Sequence, residues 1–397
     1  MDVKVRKSTL TGTITAPPSK SVAHRALISA FLSKGVAVER IGNSDDVTAT
    51  LNALKILESD QENAIINCKE SGSSLRFLLP LACALGKKVT FTGEGRLLKR
   101  PIGELVETLN LHGADIRDLT VNGKLKPGDY EIDATISSQF ITGLMLALPI
   151  LDKDSKIILK GKPVSVSYQE ITKSVLKEFG IRIENTDYGY FIRGGQEYKR
   201  ETPFIVEGDY SGSAFMLCSG AINGKITVTN LNKNTAQGDS KIINALKEFG
   251  AKVTVEENAV TVQSDKLKGA IIDCDDIPDL AQMLAVVASF AKGESKLKNV
   301  ERLAIKESNR ITAIIEQLKT AGIDCSYDNG TLLIKGGKPK GGIFSGGNDH
   351  RTAMSATILA LHAEGESKII GAEVVKKSYV DFYKDVKALG GDIDVLL

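Results

Sequence analysis

The chain has 397 residues, a formal net charge of +2 at pH 7, 42% hydrophobic residues and 25% charged residues. This length exceeds what one hydrophobic core usually supports, so we expect two globular domains and not a disordered or fibrous chain. The nearly neutral charge, the absence of tryptophan and the 5% aromatic content disfavour a nucleic-acid-binding protein, which needs a basic surface and stacking rings.

The cysteines and the first residues indicate the cellular setting. Five scattered cysteines form no C-x-x-C pair, which argues against a zinc site and for reduced thiols. The segment MDVKVRKSTLTGTI has no apolar signal core, and no apolar run is long enough to span a bilayer. We therefore expect a cytoplasmic protein without a metal ion or membrane contact. The cysteines are Cys68, Cys83, Cys218, Cys274 and Cys325.

A helix that ends in glycine and is followed by a short strand recurs along the chain. The segments are LNLHGADI, LKEFGIRI, LKEFGAKV, LKTAGIDC and VKALGGDIDV, and a member without glycine lies near Leu57. Subtraction of the glycine positions gives intervals of 67, 70, 72 and 68 residues, which is typical of a duplicated supersecondary unit. Glycine at a helix end favours the left-handed cap. These glycines are Gly113, Gly180, Gly250, Gly322 and Gly390.

Each repeat also contains a strand, a polar cluster and an apolar helix. In chain order the segments are APPSKSVAHRALISAFLSKG, NCKESGSSLRFLLPLACALG, IDATISSQFITGLMLALPIL, VEGDYSGSAFMLCSGAING, DCDDIPDLAQMLAVVASFAKG and SGGNDHRTAMSATILALHAEG. The helices are apolar nearly all round, so we expect them to be buried. Polar residues stand at their N-terminal ends, where they are candidate N-caps. These candidates are Ser19, Ser71, Ser137, Ser211 and Asp349.

Six mixed units predict an α/β (α+β) protein with three repeats in each of two domains. We expect buried parallel helices surrounded by sheets, with one domain at 14–206 and the other at 1–13 plus 207–397. The opening strand MDVKVRKSTLTG is expected to complete a sheet of the second of these domains. The chain then crosses between the domains twice, the second time near ETPFIVEGDY.

Cations recur at the starts of the predicted buried helices. Parallel helices place their positive dipole ends together, which makes an anion-binding surface. Lys306 and Arg310 lie four residues apart on one helix face, where like charges repel unless an anion binds them. Ser21 and Arg25 share a face in the same way. The pattern predicts binding of small phosphorylated or carboxylated molecules. The cations are Lys20, Arg25, Arg76, Arg100, Lys306, Arg310, Arg351 and Lys377.

Eight motifs in order resemble the 5-enolpyruvylshikimate-3-phosphate synthase family. They are PSKSVAHRAL, SGSSLRFL, RPIGELV, SSQFITGLMLALP, VEGDYSGSA, IPDLAQMLA, IKESNRI and GGNDHRTAMS. The resemblance implies an enolpyruvyl transferase fold, whose two domains close like a clamp over shikimate 3-phosphate and phosphoenolpyruvate. It also implies that the protein uses no metal or organic cofactor. We expect a monomer, although the sequence leaves the oligomeric state open.

The resemblance assigns candidate ligands to both substrates. VSVSYQE departs from the family's commoner Ser-Lys-Pro-Tyr pattern, which bears on two of them, Ser165 and Tyr168. The candidates for shikimate 3-phosphate are Lys20, Ser21, Arg25, Ser137, Ser138, Gln139, Ser165, Tyr168, Asp279 and Lys306. The candidates for phosphoenolpyruvate are Lys20, Gly72, Arg100, Gln139, Arg310, Arg351 and Lys377.

The implied reaction adds the 5-hydroxyl of shikimate 3-phosphate to phosphoenolpyruvate and then expels phosphate, so it needs acid–base groups. Asp279 resembles the carboxylate beside the attacking hydroxyl and is the candidate general base. Glu307 resembles the carboxylate near the methylene carbon. Asp279 could also be an ordinary Asp at a helix start. Glu307 could also be an ordinary surface Glu that forms an i,i+3 pair with Arg310. The candidate catalytic residues are Asp279, Glu307, Lys20, His350 and Lys377.

One position departs from the family near the implied phosphate site. Glu70 stands where the family usually has Asn, and a carboxylate there repels an anion unless a cation neutralises it. Arg302 is the hypothetical compensating cation. Gly72 is the small position that in relatives admits the herbicide glyphosate, which indicates a glyphosate target, while Glu70 leaves the sensitivity of this chain open.

Three other functions remain open. The sister enolpyruvyl transferase acting on UDP-N-acetylglucosamine usually carries a cysteine in the loop that matches TGEGRLLKRP, and this chain has none there. A non-catalytic anion-binding repeat protein needs neither Asp279 nor Glu307. A nucleic-acid-processing enzyme built on similar repeats would have a more basic composition.

Overall fold

The structure, a computed structural model, describes residues 1–59, 61 and 63–396. Its strands are short, from two to six residues each. They are β1 Asp2–Arg6, β2 Leu10–Thr15, β3 Val38–Glu39, β4 Ala64–Asn67, β5 Val89–Thr92, β6 Ile116–Arg117, β7 Thr120–Val121, β8 Asp129–Asp133, β9 Ser155–Lys160, β10 Glu184–Thr186, β11 Gly189–Ile192, β12 Phe204–Ile205, β13 Gly224–Thr229, β14 Lys252–Val255, β15 Ala259–Gln263, β16 Ile271–Asp273, β17 Glu294–Lys298, β18 Asp324–Asp328, β19 Thr331–Lys335, β20 Ile343–Ser345, β21 Glu366–Ile370 and β22 Asp392–Leu396.

The α-helices alternate with these strands, as the repeated pattern predicts. They are α1 Lys20–Leu32, α2 Asp45–Glu58, α3 Gly72–Leu85, α4 Gly103–Leu111, α5 Ser138–Ala147, α6 Val166–Glu178, α7 Tyr210–Ile222, α8 Ile242–Glu248, α9 Ala281–Phe290, α10 Arg310–Thr320, α11 His350–His362 and α12 Phe382–Ala388. The glycine-free repeat near Leu57 corresponds to α2.

The chain divides into two compact units. The terminal unit comprises Met1–Ser19 and Glu207–Leu397, and the inserted unit comprises Lys20–Val206. The sequence predicts a first boundary after residue 13, whereas the structure divides after Ser19. Backbone hydrogen bonds explain the difference, because Ser19 N donates to Glu207 O at 2.8 Å and Asp209 N donates to Pro17 O at 2.7 Å. These bonds tie the residues just before α1 to the terminal unit.

The four-stranded sheets of both units combine a parallel pair with two antiparallel strands. These two strands form a hairpin except in β20-β21-β1-β22, where β1 and β22 come from opposite ends of the chain. The terminal unit has sheets β20-β21-β1-β22, β14-β15-β13-β2 and β16-β17-β19-β18. The inserted unit has sheets β4-β5-β7-β6 and β10-β11-β9-β8 and the strand pair β12-β3. Strand β1 pairs antiparallel with β21 and β22, and β2 pairs parallel with β13. The opening segment therefore contributes strands to two sheets of the terminal unit.

The apolar helix of each repeat is the buried one. All residues of α11 are buried, and α7 is buried from Tyr210 to Ala221. Helices α1, α3, α5 and α9 are buried along most of their length. Because these helices are apolar on every side, they form the centre of each unit with the sheets outside them.

Side-chain caps begin several of these buried helices. Ser71 accepts from Ser74 N at 3.1 Å, Ser137 from Gln139 N at 3.3 Å and Asp349 from Arg351 N at 2.9 Å. The prediction was wrong for α7, where Asp209 is the cap and its carboxylate accepts from Ser211 N at 2.9 Å. The helix begins one residue before Ser211, which leaves the Ser211 hydroxyl available for another contact.

The five repeat glycines adopt the predicted left-handed conformation, with φ of 93°, 78°, 95°, 76° and 94° in chain order. A Cβ at Gly250 would lie 2.9 Å from the Lys266 carbonyl oxygen, so crowding and backbone conformation both favour glycine there. No helix among the described residues is long and apolar enough to cross a membrane. All five cysteines are buried and unbonded to one another.

A buried histidine predicts acid-sensitive folding. His362 Nε2 lies 2.8 Å from Ser219 Oγ in the core of the terminal unit, and burial lowers the pKa of His362 to about 4. Because the unfolded chain takes up a proton near pH 6.5 and the folded chain does not, the free energy of unfolding falls as pH drops from 6.5 to 4. For this group alone we expect a loss of about 3 kcal/mol.

Urea unfolding of the wild type and of His362→Gln at several pH values measures this contribution. The glutamine keeps a hydrogen-bonding group for Ser219 but does not titrate, so its stability should fall less steeply over this range. Equal slopes for the two proteins would contradict the assignment. Burial and the nearby Lys20 also lower the pKa of His24, which adds a similar dependence to both proteins.

Candidate active site

The N-terminal ends of the buried helices meet within the terminal unit. Arg351, in the first turn of α11, donates through Nη2 to Ser211 Oγ of α7 at 2.6 Å. Its Nη1 donates to the carbonyl oxygen of Asp279 at 3.1 Å, just before α9. The three helix starts of this unit are therefore neighbours, as the distribution of cations predicts.

Arg310 is the centre of the charged cluster at this end of the terminal unit. Its guanidinium donates to Asp349 Oδ2, Asp279 Oδ1 and Glu307 Oε2 at 2.8, 2.9 and 2.8 Å. The side chain is 2% exposed. Burial alone would lower the pKa of Arg310, but the charges of Asp349, Glu307 and Asp279 outweigh burial and raise it. Arg310 thus stays charged in the interior and holds three carboxylates at once.

Asp279, the candidate base, is surrounded by cations. Besides Arg310, its carboxylate lies 3.7 Å from Lys306 Nζ and 3.4 Å from Arg351 Nη2. Three positive side chains at this range favour the ionised carboxylate, which is the form that accepts a proton. The i,i+3 pair of Glu307 with Arg310, which the sequence analysis gave as its ordinary interpretation, is also present.

Asp349 does more than cap α11. It binds Arg310 through both oxygens, accepts from Ser308 Oγ at 3.0 Å and is fully buried. Burial acts to raise the pKa of Asp349, but the charge and hydrogen bonds of Arg310 outweigh burial and lower it. The sequence predicts the cap but not the link to Arg310, which joins α10 to α11.

The two other candidate catalytic residues of this unit flank the same helix start. His350 is buried, and its Nδ1 lies 3.9 Å from Asp349 Oδ1. Lys377 Nζ donates to the carbonyl and the side-chain oxygen of Asn348 at 2.9 and 3.1 Å. Both residues therefore lie at the turn that leads into α11.

In the inserted unit, predicted residues gather at the starts of α3 and α5. Arg76 Nη1 donates to Gln139 Oε1 at 2.8 Å, and Gln139 Nε2 donates to Ser73 Oγ at 3.2 Å. A Cβ at Gly72 would lie 2.6 Å from Arg76 Nη1 and 2.9 Å from Arg100 Nη1. The bare backbone of Gly72 thus lets two guanidinium groups approach the start of α3.

Lys20 and Arg25 differ in their surroundings although both lie on α1. Lys20 Nζ forms an ion pair with Asp46 Oδ2 at 2.7 Å, and both side chains are largely buried. Arg25 is buried and donates to Ser21 O, Thr172 Oγ1 and the Tyr168 carbonyl at 2.6, 2.8 and 3.1 Å. Burial lowers the pKa of Arg25 to about 9. Arg25 therefore ties α1 to α6, the helix that contains both Thr172 and Tyr168.

Ser165, another candidate ligand, has a strained backbone. Its φ of 49° and ψ of 51° are left-handed, and the residue is 5% exposed. This conformation costs a non-glycine residue about 1 kcal/mol. Ser165 directly precedes α6, and its carbonyl accepts from Tyr168 N at 3.1 Å. Ser165 therefore lies at the start of α6, on the same helix end as Tyr168.

Glu70 and Arg302, its hypothetical compensating cation, have different surroundings in the structure. The Glu70 carboxylate packs over Gly95, since a Cβ there would lie 2.7 Å from Glu70 Cδ. Arg302 Nη2 donates to the carbonyl of Asp275 at 2.5 Å and to its carboxylate at 3.3 Å. Arg302 thus has a carboxylate partner within its own unit, and its link to Glu70 stays a prediction.

Groups of three or more His, Cys, Asp or Glu side chains with metal-binding geometry are absent among the described residues. The cluster around Arg310 instead pairs carboxylates with cations. Such an arrangement can bind anions and can hold a proton-accepting carboxylate, the two properties that the implied reaction requires.

Comparison with known proteins agrees with these features. The profile of the EPSP synthase (3-phosphoshikimate 1-carboxyvinyltransferase) family matches residues 5–386. The 3-phosphoshikimate 1-carboxyvinyltransferase of Clostridium novyi is 38% identical over 427 residues, which span 99% of this chain and 98% of the relative. The 3-phosphoshikimate 1-carboxyvinyltransferase of Clostridium kluyveri is 39% identical over 417 residues, which again span 99% of this chain and 98% of the relative.

Solved structures show the same fold. EPSP synthase from Acinetobacter baumannii superposes with a TM-score of 0.84 at 24% identity, covering 100% of both chains. The enolpyruvyl transferase NikO from Streptomyces tendae superposes with a TM-score of 0.77 at 16% identity, covering 99% of this chain and 98% of the other. With the family match over nearly the whole length, this chain belongs to the EPSP synthase (3-phosphoshikimate 1-carboxyvinyltransferase) family.

Proposed function

We propose that this protein transfers the enolpyruvyl group of phosphoenolpyruvate to the 5-hydroxyl of shikimate 3-phosphate and releases phosphate. The family match and the names of the relatives support this transferase activity. The observation that carries the proposal is the arrangement around Arg310, which joins both candidate catalytic carboxylates, Asp279 and Glu307, to one buried guanidinium. The reaction belongs to the shikimate pathway of aromatic amino-acid synthesis.

Two proton transfers accompany the bond changes. The 5-hydroxyl oxygen bonds to the central carbon of phosphoenolpyruvate and loses its proton to Asp279, while the methylene carbon gains a proton. In the tetrahedral adduct the bond to the phosphate oxygen then breaks, and the new methyl group returns a proton as phosphate leaves. Glu307 is the proposed group at that carbon. The cations around both carboxylates stabilise the charge of the adduct.

The proposed ligands divide between the two units. In the inserted unit, hydroxyl and amide groups at the starts of α5 and α6 suit a phosphate, which accepts hydrogen bonds from N–H and O–H donors at helix starts. In the terminal unit, Arg310, Arg351 and Lys377 suit the carboxylate and phosphate of phosphoenolpyruvate. Lys20, Gly72, Arg100 and Gln139 remain predicted ligands of that substrate. We further propose a cytoplasmic monomer that needs no cofactor.

A phosphate-release assay tests this function. The purified chain is incubated with both substrates, with each substrate omitted in turn, and with UDP-N-acetylglucosamine replacing shikimate 3-phosphate. We expect phosphate only when shikimate 3-phosphate and phosphoenolpyruvate are both present. Release with the UDP-sugar would assign the sister activity instead, and no release in any mixture would favour a non-catalytic anion-binding protein.

Gly72→Ala tests the phosphoenolpyruvate assignment. The new methyl group would meet Arg76 Nη1 and Arg100 Nη1 at 2.6 and 2.9 Å, so both guanidinium groups must shift. We expect the KM for phosphoenolpyruvate to rise about tenfold while the KM for shikimate 3-phosphate changes little. Steady-state kinetics with each substrate varied measures the two constants.

Gly103→Ala is the matched control for this variant. It also adds a methyl group at the first residue of a helix, α4, but its Cβ meets nothing within 4 Å. Its kinetic constants should equal those of the wild type. Equal constants for Gly72→Ala and Gly103→Ala would contradict the role of Gly72.

A further inference from the structure

Gln282, Gln317 and Thr352 are buried polar residues of the terminal unit that the proposed reaction does not use. They lie in α9, α10 and α11, the helices that begin at the charged cluster around Arg310. Each of the three is at most 5% exposed. Burying an amide or a hydroxyl group costs free energy unless the group is hydrogen-bonded. The partners of these side chains therefore show what the polar groups achieve.

Thr352 is the partner that the two glutamines share. Its hydroxyl oxygen accepts from Gln282 Nε2 at 3.0 Å. Its carbonyl oxygen accepts from Gln317 Nε2 at 2.9 Å. Ser355, one turn further along α11, donates through Oγ to Gln317 Oε1 at 3.2 Å. A single residue of α11 is thus hydrogen-bonded to both α9 and α10.

The bond between Gln282 and Thr352 connects the same two helix starts as the contacts of the candidate base. Thr352 directly follows Arg351, and Gln282 is three residues after Asp279, about one helical turn. Arg351 Nη1 donates to the Asp279 carbonyl at 3.1 Å, and Arg351 Nη2 lies 3.4 Å from Asp279 Oδ2. The distance between α9 and α11 therefore decides how closely Asp279 approaches Arg351.

Packing alone does not explain Gln282. Its Oε1 is buried and has no hydrogen-bond partner among the residues that the structure describes. A leucine of similar size would avoid this unpaired oxygen. Apolar contacts tolerate small shifts between two helices, whereas a hydrogen bond needs a distance near 3 Å and a suitable angle. The Gln282 amide thus costs stability but fixes the position of α9 against α11.

We propose that Thr352 and Gln282 are positioning residues for the general base, Asp279. Their hydrogen bond holds α9 and α11 so that the Asp279 carboxylate stays beside Arg351, where it accepts the proton of the attacking hydroxyl. The inference rests on the proposed function, because that function makes Asp279 the base. Neither Thr352 nor Gln282 touches a reacting atom. A displaced base slows proton transfer, so the effect is on kcat.

Thr352→Val tests this role in the full chain. Valine has the same shape and keeps the carbonyl oxygen that Gln317 bonds, but it leaves Gln282 Nε2 without an acceptor. We expect kcat to fall about tenfold and the Tm to fall by about 4 °C. Thr352→Ser keeps the hydroxyl, so its kcat should be within about twofold of the wild type. Adding Thr352→Val to Asp279→Asn should lower kcat no further, because no base is left to position.

A double variant, Gln282→Leu with Thr352→Val, separates positioning from stability. With both partners apolar no buried donor is left unpaired, so the Tm should return to within about 2 °C of the wild type. The kcat should remain about tenfold lower, because no hydrogen bond fixes α9 against α11. A kcat that recovers together with the Tm would show a purely structural role and overturn the inference.

Thr357→Val is the matched control. Thr357 is also buried in α11, where its Oγ1 donates to the Ala353 carbonyl at 2.9 Å and lies 3.3 Å from the Tyr383 hydroxyl. Its replacement should lower the Tm but leave kcat unchanged. An active wild type whose kcat is unchanged in Thr352→Val overturns the inference alone. A wild type that releases no phosphate overturns the proposed function.

Discussion

Asp279→Asn is expected to lower kcat about 1,000-fold, the middle of the range for loss of a general base together with its charge. Asparagine has the same shape and can still accept from Arg310 Nη1, which bonds Asp279 Oδ1 at 2.9 Å. It cannot take the proton of the attacking hydroxyl. Because one negative charge beside Arg310 and Arg351 is lost, the KM for phosphoenolpyruvate should stay constant or fall. Steady-state kinetics with both substrates measures the split between kcat and KM.

The control for this variant is Asp265→Asn. Asp265 also pairs with a cation, Lys252 at 3.2 Å, but on the surface of the terminal unit and outside the candidate residues. We expect its kcat to equal that of the wild type. An Asp279→Asn enzyme that retains more than a tenth of the wild-type kcat would mean that another group removes the proton.

Features of the fold that depend on neighbouring residues could be predicted from the sequence. The left-handed glycines at helix ends, the serine caps of α3 and α5 and the burial of the apolar helices follow from local patterns. The regular interval between the repeats also predicted a series of similar mixed α/β units. Even here a local detail was wrong, since Asp209 and Ser211 are both acceptable cap residues and only the backbone decides which one begins α7.

The partners of the charged residues could not be predicted in the same way. Asp349 was recognised as a cap, but its ion pair with Arg310 spans 39 residues of the chain. Lys20 was recognised as a candidate ligand, yet its partner Asp46 lies 26 residues away on another helix. Arg25 was expected to share a face with Ser21, and it does bond the Ser21 carbonyl. Its other donors bond Thr172 and Tyr168 of α6 and Thr142 of α5, contacts that spacing on one helix cannot indicate.

Arg310→Met is expected to destabilise the folded terminal unit by about 3–5 kcal/mol at pH 7, the range for removing one partner of a buried ion pair. The methionine fills a similar space but leaves Asp349 without its cation in a position that is fully buried. Asp279 and Glu307 also lose a common partner and repel each other. Urea unfolding at pH 7 measures the loss.

The pH dependence of the stability of Arg310→Met tests whether the unpaired Asp349 carboxylate causes the loss. Without Arg310, burial is the dominant influence on Asp349, so the pKa of its carboxyl group should rise above the unfolded value. The folded variant then binds a proton that the unfolded chain has already released, and its stability increases as pH falls toward the unfolded pKa. The difference between wild type and Arg310→Met should therefore shrink between pH 7 and about pH 4.

Two variants complete the argument. Arg302→Met removes an arginine whose carboxylate partner, Asp275, is partly exposed, and we expect a loss below about 1 kcal/mol. Arg310→Lys keeps a positive charge but provides one ammonium group for three carboxylates, so its stability should lie between those of the wild type and Arg310→Met. If Arg310→Met lost no more stability than Arg302→Met, the carboxylates would not depend on Arg310. Hydroxyl and backbone donors would then have to be what stabilises the buried carboxylates of the terminal unit.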